Sequence, residues 1–189
     1  EDPGNKTKDL KTFIKELTIG NKQTFDVTNF TIPVNRQAAI REGVVRLEDT
    51  ALIQSQMVIN FPRRGLSKGD LVLLDLVATN AATGWKRPIC FTTTSGNDGF
   101  INMEPYFERK GLIFQLTPIR TQVQNREVQR MDMEGLYNSL MTKYRFSGMK
   151  EKKNFFLDDK AEIVPSTMQQ LFVSLAANYL GKIEELKAT

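Results

Sequence analysis

The sequence predicts an α/β-type fold (mixed α+β) in which a mixed β-sheet is flanked by helices and the chain ends in an α-helical segment. Short runs rich in β-branched and aromatic residues alternate irregularly with runs of helical period, and N-cap residues precede several of the helical runs. With 189 residues, 40% of them apolar, the chain can bury a core without disulfides or metals. We expect one soluble domain over 1–189, divided into an N-terminal helix (1–20), an α/β core (24–160) and C-terminal helices (165–189).

The N-terminal part begins with a predicted amphipathic helix over residues 7–18, which ends at Gly20. Its apolar residues recur at helical spacing: Leu10, Phe13, Ile14 and Leu17. Residues 24–34 are predicted to be extended because their apolar positions are β-branched or aromatic. Asn35 then caps a short helix that runs through Arg41.

The central part contains the predicted sheet and one longer helix. Near-alternation over 53–61 predicts a strand. Ser67, with Asp70 three residues later, predicts the start of a helix to about residue 80. That helix is apolar around most of its girth, so we expect it to be buried against a sheet. Strands are predicted over 89–94 and 112–116, with a turn at 95–99 and a short helix within 103–110 between them.

The C-terminal part is predicted to be helical after a polar segment, Gln122 to Arg130, which is the best linker candidate. Asp132 is a plausible N-cap for a helix over 133–144, and residues 154–157 suit a short strand. Ser166 can cap a helix over 167–180 that Gly181 stops, and a further helix begins at residue 182.

Composition excludes several classes of function. The formal charge of +4 comes from scattered Lys and Arg rather than a basic stripe, so we expect no nucleic-acid partner, although a basic surface beside anionic lipid headgroups stays open. The chain has no His, which removes Ser-His and Cys-His nucleophilic pairs and His metal sites. The single cysteine, Cys90, excludes an intramolecular disulfide, and its apolar neighbours predict a small buried core residue.

We expect no cofactor and no metal. No Gly-rich phosphate loop is present, and Asn97, Asp98 and Glu104 match no calcium-loop spacing. No run of about 20 apolar residues could span a bilayer. The chain does not begin with Met, so we expect it to be a piece of a longer protein.

Five residues in or beside loops at strand ends are the candidates for ligand binding: Trp85, Arg87, Glu104, Tyr106 and Arg109. Aromatic and Arg side chains in such places suit carbohydrate or peptide contact through stacking and forked hydrogen bonds. The alternative is structural, with Trp85 filling the edge of the core and Arg87 paired with a buried acid.

Asp75 is the candidate for that buried acid, because it lies inside the apolar run 71–78. A buried carboxyl group with a raised pKa would be functional if it lined a cleft. The alternative is an acid that is paired with Arg or Lys, or bonded to backbone amides.

The chain resembles the C-terminal soluble region of a family of large multi-spanning bacterial membrane proteins. These proteins are common in Bacteroidetes, were long of unknown function, and are similar to protein O-mannosyltransferases, which use lipid-linked sugars. The resemblance covers roughly residues 24–188. Its main matching pieces are Leu73-Leu74-Asp75-Leu76-Val77-Ala78-Thr79-Asn80, Trp85-Lys86-Arg87-Pro88-Ile89, Tyr106-Phe107-Glu108-Arg109-Lys110-Gly111-Leu112 and Leu116-Thr117-Pro118-Ile119.

Two departures stand out: this chain has Cys90 where members usually have Tyr, and a longer link from Asn80 to Trp85. The resemblance carries over no catalytic residue, because that enzyme type keeps its catalytic acids in the transmembrane half. It implies a non-catalytic domain on the periplasmic side of the inner membrane, partnered by its own transmembrane region. Such a domain would assist binding of acceptor protein or glycan, or else be a purely structural interaction domain.

Overall fold

The structure is a computed structural model that describes residues 6–20, 27–62, 65–93, 95–124, 127–128, 130–145 and 162–188. The described chain has mixed α+β content, as predicted from the sequence. It divides into two compact units, Glu1–Arg130 and Met131–Thr189. The division falls at the end of the polar segment that the sequence marked as the linker candidate.

The first sheet of the first unit is mixed, with strand order β1 (Thr7–Asp9), β2 (Asn29–Pro33) and β3 (Gln56–Asn60). The β1–β2 pair is parallel and the β2–β3 pair is antiparallel. Helix α1 (Leu10–Thr18) starts three residues later than expected. The cause is Asp9, whose side chain accepts a hydrogen bond from the Thr12 N–H at 2.9 Å, so that the residues before it remain extended.

Helices α2 (Arg36–Arg41) and α3 (Lys68–Ala82) both begin at side-chain caps, and α3 packs on β2 of this sheet. Asn35 caps α2, as predicted. Helix α3 begins with the predicted capping box between Ser67 and Asp70. One face of α3 is buried and packs against the sheet, as predicted from the sequence. Its inward face carries Leu74, Val77, Ala78 and Ala81, whereas its outward face exposes Val72, Asp75 and Leu76.

The second sheet is antiparallel, with strand order β4 (Cys90–Thr92), β6 (Ile113–Leu116) and β5 (Phe107–Lys110). The sequence predicted a short helix within 103–110, but only a single 3₁₀ turn, Glu104–Tyr106, forms there. The remaining residues pair with β6, because Gly111 at φ +67° closes a tight turn between the strands. Four phenylalanine rings from this region pack with centroids 4.8 to 5.9 Å apart: Phe91, Phe100, Phe107 and Phe114.

The polar segment after β6 contains a short hairpin rather than an open linker. Strands β7 (Val123–Gln124) and β8 (Glu127–Val128) pair in antiparallel fashion. The segment is also tied to the second sheet, because the Arg109 N–H of β5 donates to the Arg130 carbonyl at 2.8 Å.

The described residues of the second unit include α4 (Met133–Asn138), a π-helical turn (Ser139–Lys143) and α5 (Ile163–Ala188). Asp132 caps α4, as predicted. Leu136, Leu140, Leu171 and Leu175 are buried. Helix α5 continues through Gly181, so the prediction that this glycine ends the helix is wrong; a glycine inside a long helix costs only about 1 kcal/mol relative to Ala. The predicted strand over 154–157 lies outside the described residues.

Candidate functional site

Trp85 is a core residue and is 1% exposed. It follows α3 in a left-handed backbone conformation, with φ 60°, after Gly84 at φ 87°. Its N–H donates to the Asn80 carbonyl at 2.8 Å, which ends the helix and turns the indole inward. The buried indole Nε1 has no hydrogen-bond partner among the described residues. Trp85 therefore fills the core, which is the structural alternative that the sequence left open.

Tyr106 is also 1% exposed and contributes to the core. Its hydroxyl oxygen accepts a hydrogen bond from the Val58 N–H of β3 at 2.7 Å. Its carbonyl accepts from both the N–H and the hydroxyl of Thr117, at 2.8 and 3.2 Å. The side chain thus links the two three-stranded sheets and is not available for stacking on a ligand.

The other three candidates are more accessible. Arg87 is exposed, and its backbone is held by Asn80, whose amide donates to the Arg87 carbonyl at 2.8 Å and accepts from the Arg87 N–H at 3.3 Å. Glu104 and Arg109 are half-buried, the first in the 3₁₀ turn and the second in β5. Since Trp85 and Tyr106 lie in the core, the five candidates do not form one exposed surface.

Two predictions about burial are wrong. Asp75 is exposed, because it lies on the outward face of α3, so it is not a buried acid. Cys90 is also exposed, because alternation along β4 turns Phe91 inward and Cys90 and Thr92 outward. Partial burial nevertheless raises the pKa of the Cys90 thiol, although the Lys110 ammonium group opposes the shift.

A network of charged side chains, missed by the sequence analysis, lies beside β5. Glu108, 1% exposed, has its carboxylate 3.3 Å from Arg130 Nη2, 3.5 Å from Lys110 Nζ and 3.7 Å from Arg46 Nη2. Asp49 Oδ2 bridges the two arginines at 2.7 and 2.9 Å. We call these five residues the charge network.

The cations and carboxylates of the charge network pair with one another, although neither oxygen of Glu108 accepts a hydrogen bond from the described residues. Burial alone would lower the pKa of Arg46, but the carboxylates of Asp49, Glu108 and Glu48 outweigh it and raise that pKa above its ordinary value. Every cation in the network faces a carboxylate of the same network. Its three cations and two carboxylates sum to +1, and Glu48, whose carboxylate lies 2.9 Å from Arg46 Nη1, offsets that charge. No local pattern indicated that Glu108 is buried, because three of the four residues of β5 are charged, and the partners Arg46, Asp49 and Arg130 come from other segments of the chain.

One concave feature of the first unit is a cavity of about 530 Å³ at the end of β1. Its lining is partly aliphatic and includes Leu10, Ile32 and Val34 together with Ala78, Ala81 and Ala82 of α3. We call this cavity the α3 groove. Its volume falls within the range of about 300 to 1,000 Å³ that is typical of small-molecule sites.

The rim of the α3 groove carries four polar side chains: Asp9, Lys11, Thr31 and Asn35. Asp9 and Asn35 are the N-caps of α1 and α2, so hydrogen bonds to helix backbone hold both side chains in place. A shallower depression in the second unit is lined by residues between Asp132 and Asn138. Neither cavity is lined by any of the five residues predicted to bind ligand.

Within the part of the chain that the structure describes, no three His, Cys, Asp or Glu side chains gather in a way that could hold a metal ion. In the same residues, no helix combines the length and the apolarity that crossing a bilayer requires.

Comparison with known proteins gives one family. The chain matches no curated protein and no solved structure at a significant level. A family model described as TMEM260-associated domain 2 matches residues 4–135, which are 132 of the 189 residues. The match spans nearly all of the first unit, including both three-stranded sheets, the charge network and the α3 groove. The chain therefore belongs to the TMEM260-associated domain 2 family.

Proposed function

We propose that this chain is a non-catalytic extracytoplasmic domain of a TMEM260-like integral membrane glycosyltransferase, and that it assists the binding of acceptor protein or glycan. Family membership over residues 4–135 carries the proposal. The family description associates the domain with TMEM260, and the main motifs that resemble the Bacteroidetes O-mannosyltransferase-like proteins lie between residues 73 and 119, inside the matched range.

Burial of Trp85 and Tyr106 changes how those motifs support the proposal. Their side chains build the core, so the motifs around them encode the fold rather than a stacking surface. A binding role then rests on accessible residues of the first unit, and the α3 groove is a concave surface to which such residues contribute. The catalytic acids would lie in the transmembrane part of the longer protein, as the resemblance implies.

The test is protein glycosylation in the native host. The full-length gene is deleted and then complemented with the intact gene or with a version lacking residues 24–189, and membrane insertion of both products is measured. We expect deletion to remove the glycoprotein signal and the truncated version to insert without restoring it. Full restoration by the truncated version would refute the accessory role, and an unchanged signal in the deletion strain would refute the link to glycosylation.

The predicted side of the membrane has its own test, because Cys90 is the single cysteine of this chain and is exposed. A membrane-impermeant maleimide should label Cys90 in intact spheroplasts if the domain faces the periplasm. A Cys90→Ser variant of the full-length protein identifies which label belongs to this domain. Labelling that appears only after lysis would place the domain in the cytoplasm.

A purely structural domain is the second candidate, favoured by the core positions of two of the five predicted binding residues. The structural role predicts that the truncated protein no longer transfers sugar to acceptor proteins, whereas folded full-length proteins with surface substitutions still do. The substitution Arg87→Ala serves here, because the side chain is exposed and only the backbone of Arg87 bonds to Asn80. Reduced transfer by a folded Arg87→Ala protein would favour a binding role.

A further inference from the structure

We infer that the α3 groove binds a short neutral glycan of one or two sugar units. The inference deepens the proposed function and rests on it for the source of the sugar, but the binding argument uses only residues of the first unit. It assigns the role of ligand contact to residues that the sequence analysis did not select.

The first argument is the size of the α3 groove and the aliphatic character of part of its lining. At about 530 Å³ the α3 groove is in the lower half of the range for small-molecule sites. Three alanines of α3 form part of its wall: Ala78, Ala81 and Ala82. Their small side chains leave the volume open, and the aliphatic surface suits the C–H face of a pyranose ring.

The rim supplies fixed hydrogen-bonding groups. Asp9 Oδ1 accepts from both the N–H and the hydroxyl of Thr12, at 2.9 and 3.0 Å, which leaves Oδ2 as an acceptor. Asn35 Oδ1 accepts from the Ala38 N–H at 3.0 Å, which leaves its NH₂ group as a donor. The rim therefore offers one hydrogen-bond acceptor, one donor and, in the Thr31 hydroxyl, a group that can both donate and accept. Sugar hydroxyls both donate and accept, so they match such a set.

Charge favours a neutral ligand. The lining contains one carboxylate, Asp9, and one ammonium group, Lys11, which balance each other. An anionic sugar or a nucleotide would gain a contact with Lys11 but would also face the Asp9 carboxylate. A polyol interacts favourably with both groups through hydrogen bonds.

Backbone geometry disfavours a peptide. Strand β1 ends opposite Thr31 of β2, so β2 continues past its parallel neighbour at this groove. A peptide could add to that edge only if β2 supplied backbone donors. The residue two places on is Pro33, which has no N–H. Recognition at the groove therefore depends on side chains rather than on a backbone ladder.

The test is a ¹H–¹⁵N NMR titration of the full 189-residue chain. Three probes are compared: mannobiose as a neutral disaccharide, glucuronic acid as an anionic sugar and tetra-alanine as a peptide. We expect mannobiose to shift the amide signals of Asp9, Thr31, Asn35 and Ala82 saturably. Glucuronic acid and tetra-alanine should shift these signals weakly or not at all.

Substitutions inside and outside the α3 groove test whether mannobiose binds there. Ala82→Leu fills the groove, whereas Thr79→Leu makes a matched change at an exposed α3 position that does not line it. We expect the first to weaken mannobiose binding by about tenfold or more and the second to leave it unchanged. Asp9→Asn keeps a good N-cap for α1 but replaces the carboxylate, and should also weaken binding about tenfold.

Three results would overturn the inference. These are the absence of saturable shifts with mannobiose, equal affinity in the Ala82→Leu protein, and stronger binding of tetra-alanine, which would make the groove a peptide site. The outcome is separable from the glycosylation test. Groove binding in a domain whose removal leaves glycosylation intact would refute the accessory role alone, whereas loss of glycosylation without groove binding would refute this site alone.

Discussion

Replacing Arg130 in the charge network should destabilise the protein more than replacing Arg130 and Glu108 together. Arg130→Met removes the cation nearest to Glu108, whose side chain is 1% exposed. At 3.3 Å and an effective dielectric constant of about 20, that attraction is about 5 kcal/mol, and Lys110 and Arg46 supply similar terms at 3.5 and 3.7 Å. Removing one partner of a buried ion pair typically costs about 3 to 5 kcal/mol.

The double variant Arg130→Met with Glu108→Leu should recover most of that loss. The described residues make ion pairs with Glu108 but no hydrogen bond to either carboxylate oxygen, so its desolvation is poorly compensated. The Arg46–Asp49 pair at 2.9 Å survives both substitutions. An apolar pair of similar volume in place of a buried ion pair is often neutral or stabilising.

The assay is urea unfolding followed by tryptophan fluorescence, because the chain has a single Trp and Trp85 lies in the core of the first unit. Arg41→Met is the matched control, since Arg41 forms an exposed pair with Glu42 and should change the unfolding free energy by less than about 1 kcal/mol. A double variant that is less stable than Arg130→Met alone would refute the reasoning, because the network would then stabilise through Glu108 itself.

Three further predictions concern single side chains. Trp85→Ala should lower the unfolding free energy by about 3 to 5 kcal/mol. Trp85→Phe should lower it by clearly less, because Phe keeps an aromatic ring in the core and removes an indole N–H that has no hydrogen-bond partner among the described residues. Circular dichroism during urea unfolding measures both changes. Tyr106→Phe should cost about 1 to 3 kcal/mol and speed hydrogen exchange at the Val58 amide, whereas unchanged exchange would contradict the bond between them. Because the pKa of Cys90 is raised, its alkylation by iodoacetamide should be slower at pH 8 than that of an unstructured cysteine peptide, and it should accelerate as the pH rises further. The substitution Lys110→Gln should slow the alkylation more, because the Lys110 ammonium group lowers this pKa. An alkylation rate equal to that of the peptide would contradict the raised pKa.

Local signals predicted three helix starts and failed at a fourth, because Ser166 was predicted to cap the last helix, which begins at Ile163 instead. Asn35, Ser67 and Asp132 were selected because their side chains can accept from the first free N–H groups of a helix, and each does so in the structure. These predictions succeeded because a cap involves residues three apart in the chain. The strand before α1 was missed because β1 exists only through its pairing with β2, some twenty residues later.

Long-range pairing also explains the errors in the second sheet and at the candidate site. Residues 107–110 form a strand because β6 folds back on them, which no local period indicates. Asp75 and Cys90 sit in apolar runs, yet each faces outward, because the side of the element that meets the core is decided by its neighbours. The groove combines β1, α1, β2 and α3, so its lining could not be assembled from sequence spacing.

The hydrogen bond from Val58 to the Tyr106 hydroxyl has a consequence for solubility during folding. Strand β3 pairs with β2 on one side and is the edge of its sheet on the other. Its sequence, Gln56 to Asn60, is uncharged and contains β-branched residues, a composition that favours strand addition between molecules. By accepting the outward N–H of Val58, Tyr106 occupies a donor that a second chain would otherwise use. Docking of the second sheet therefore closes an aggregation-prone edge as it completes the core.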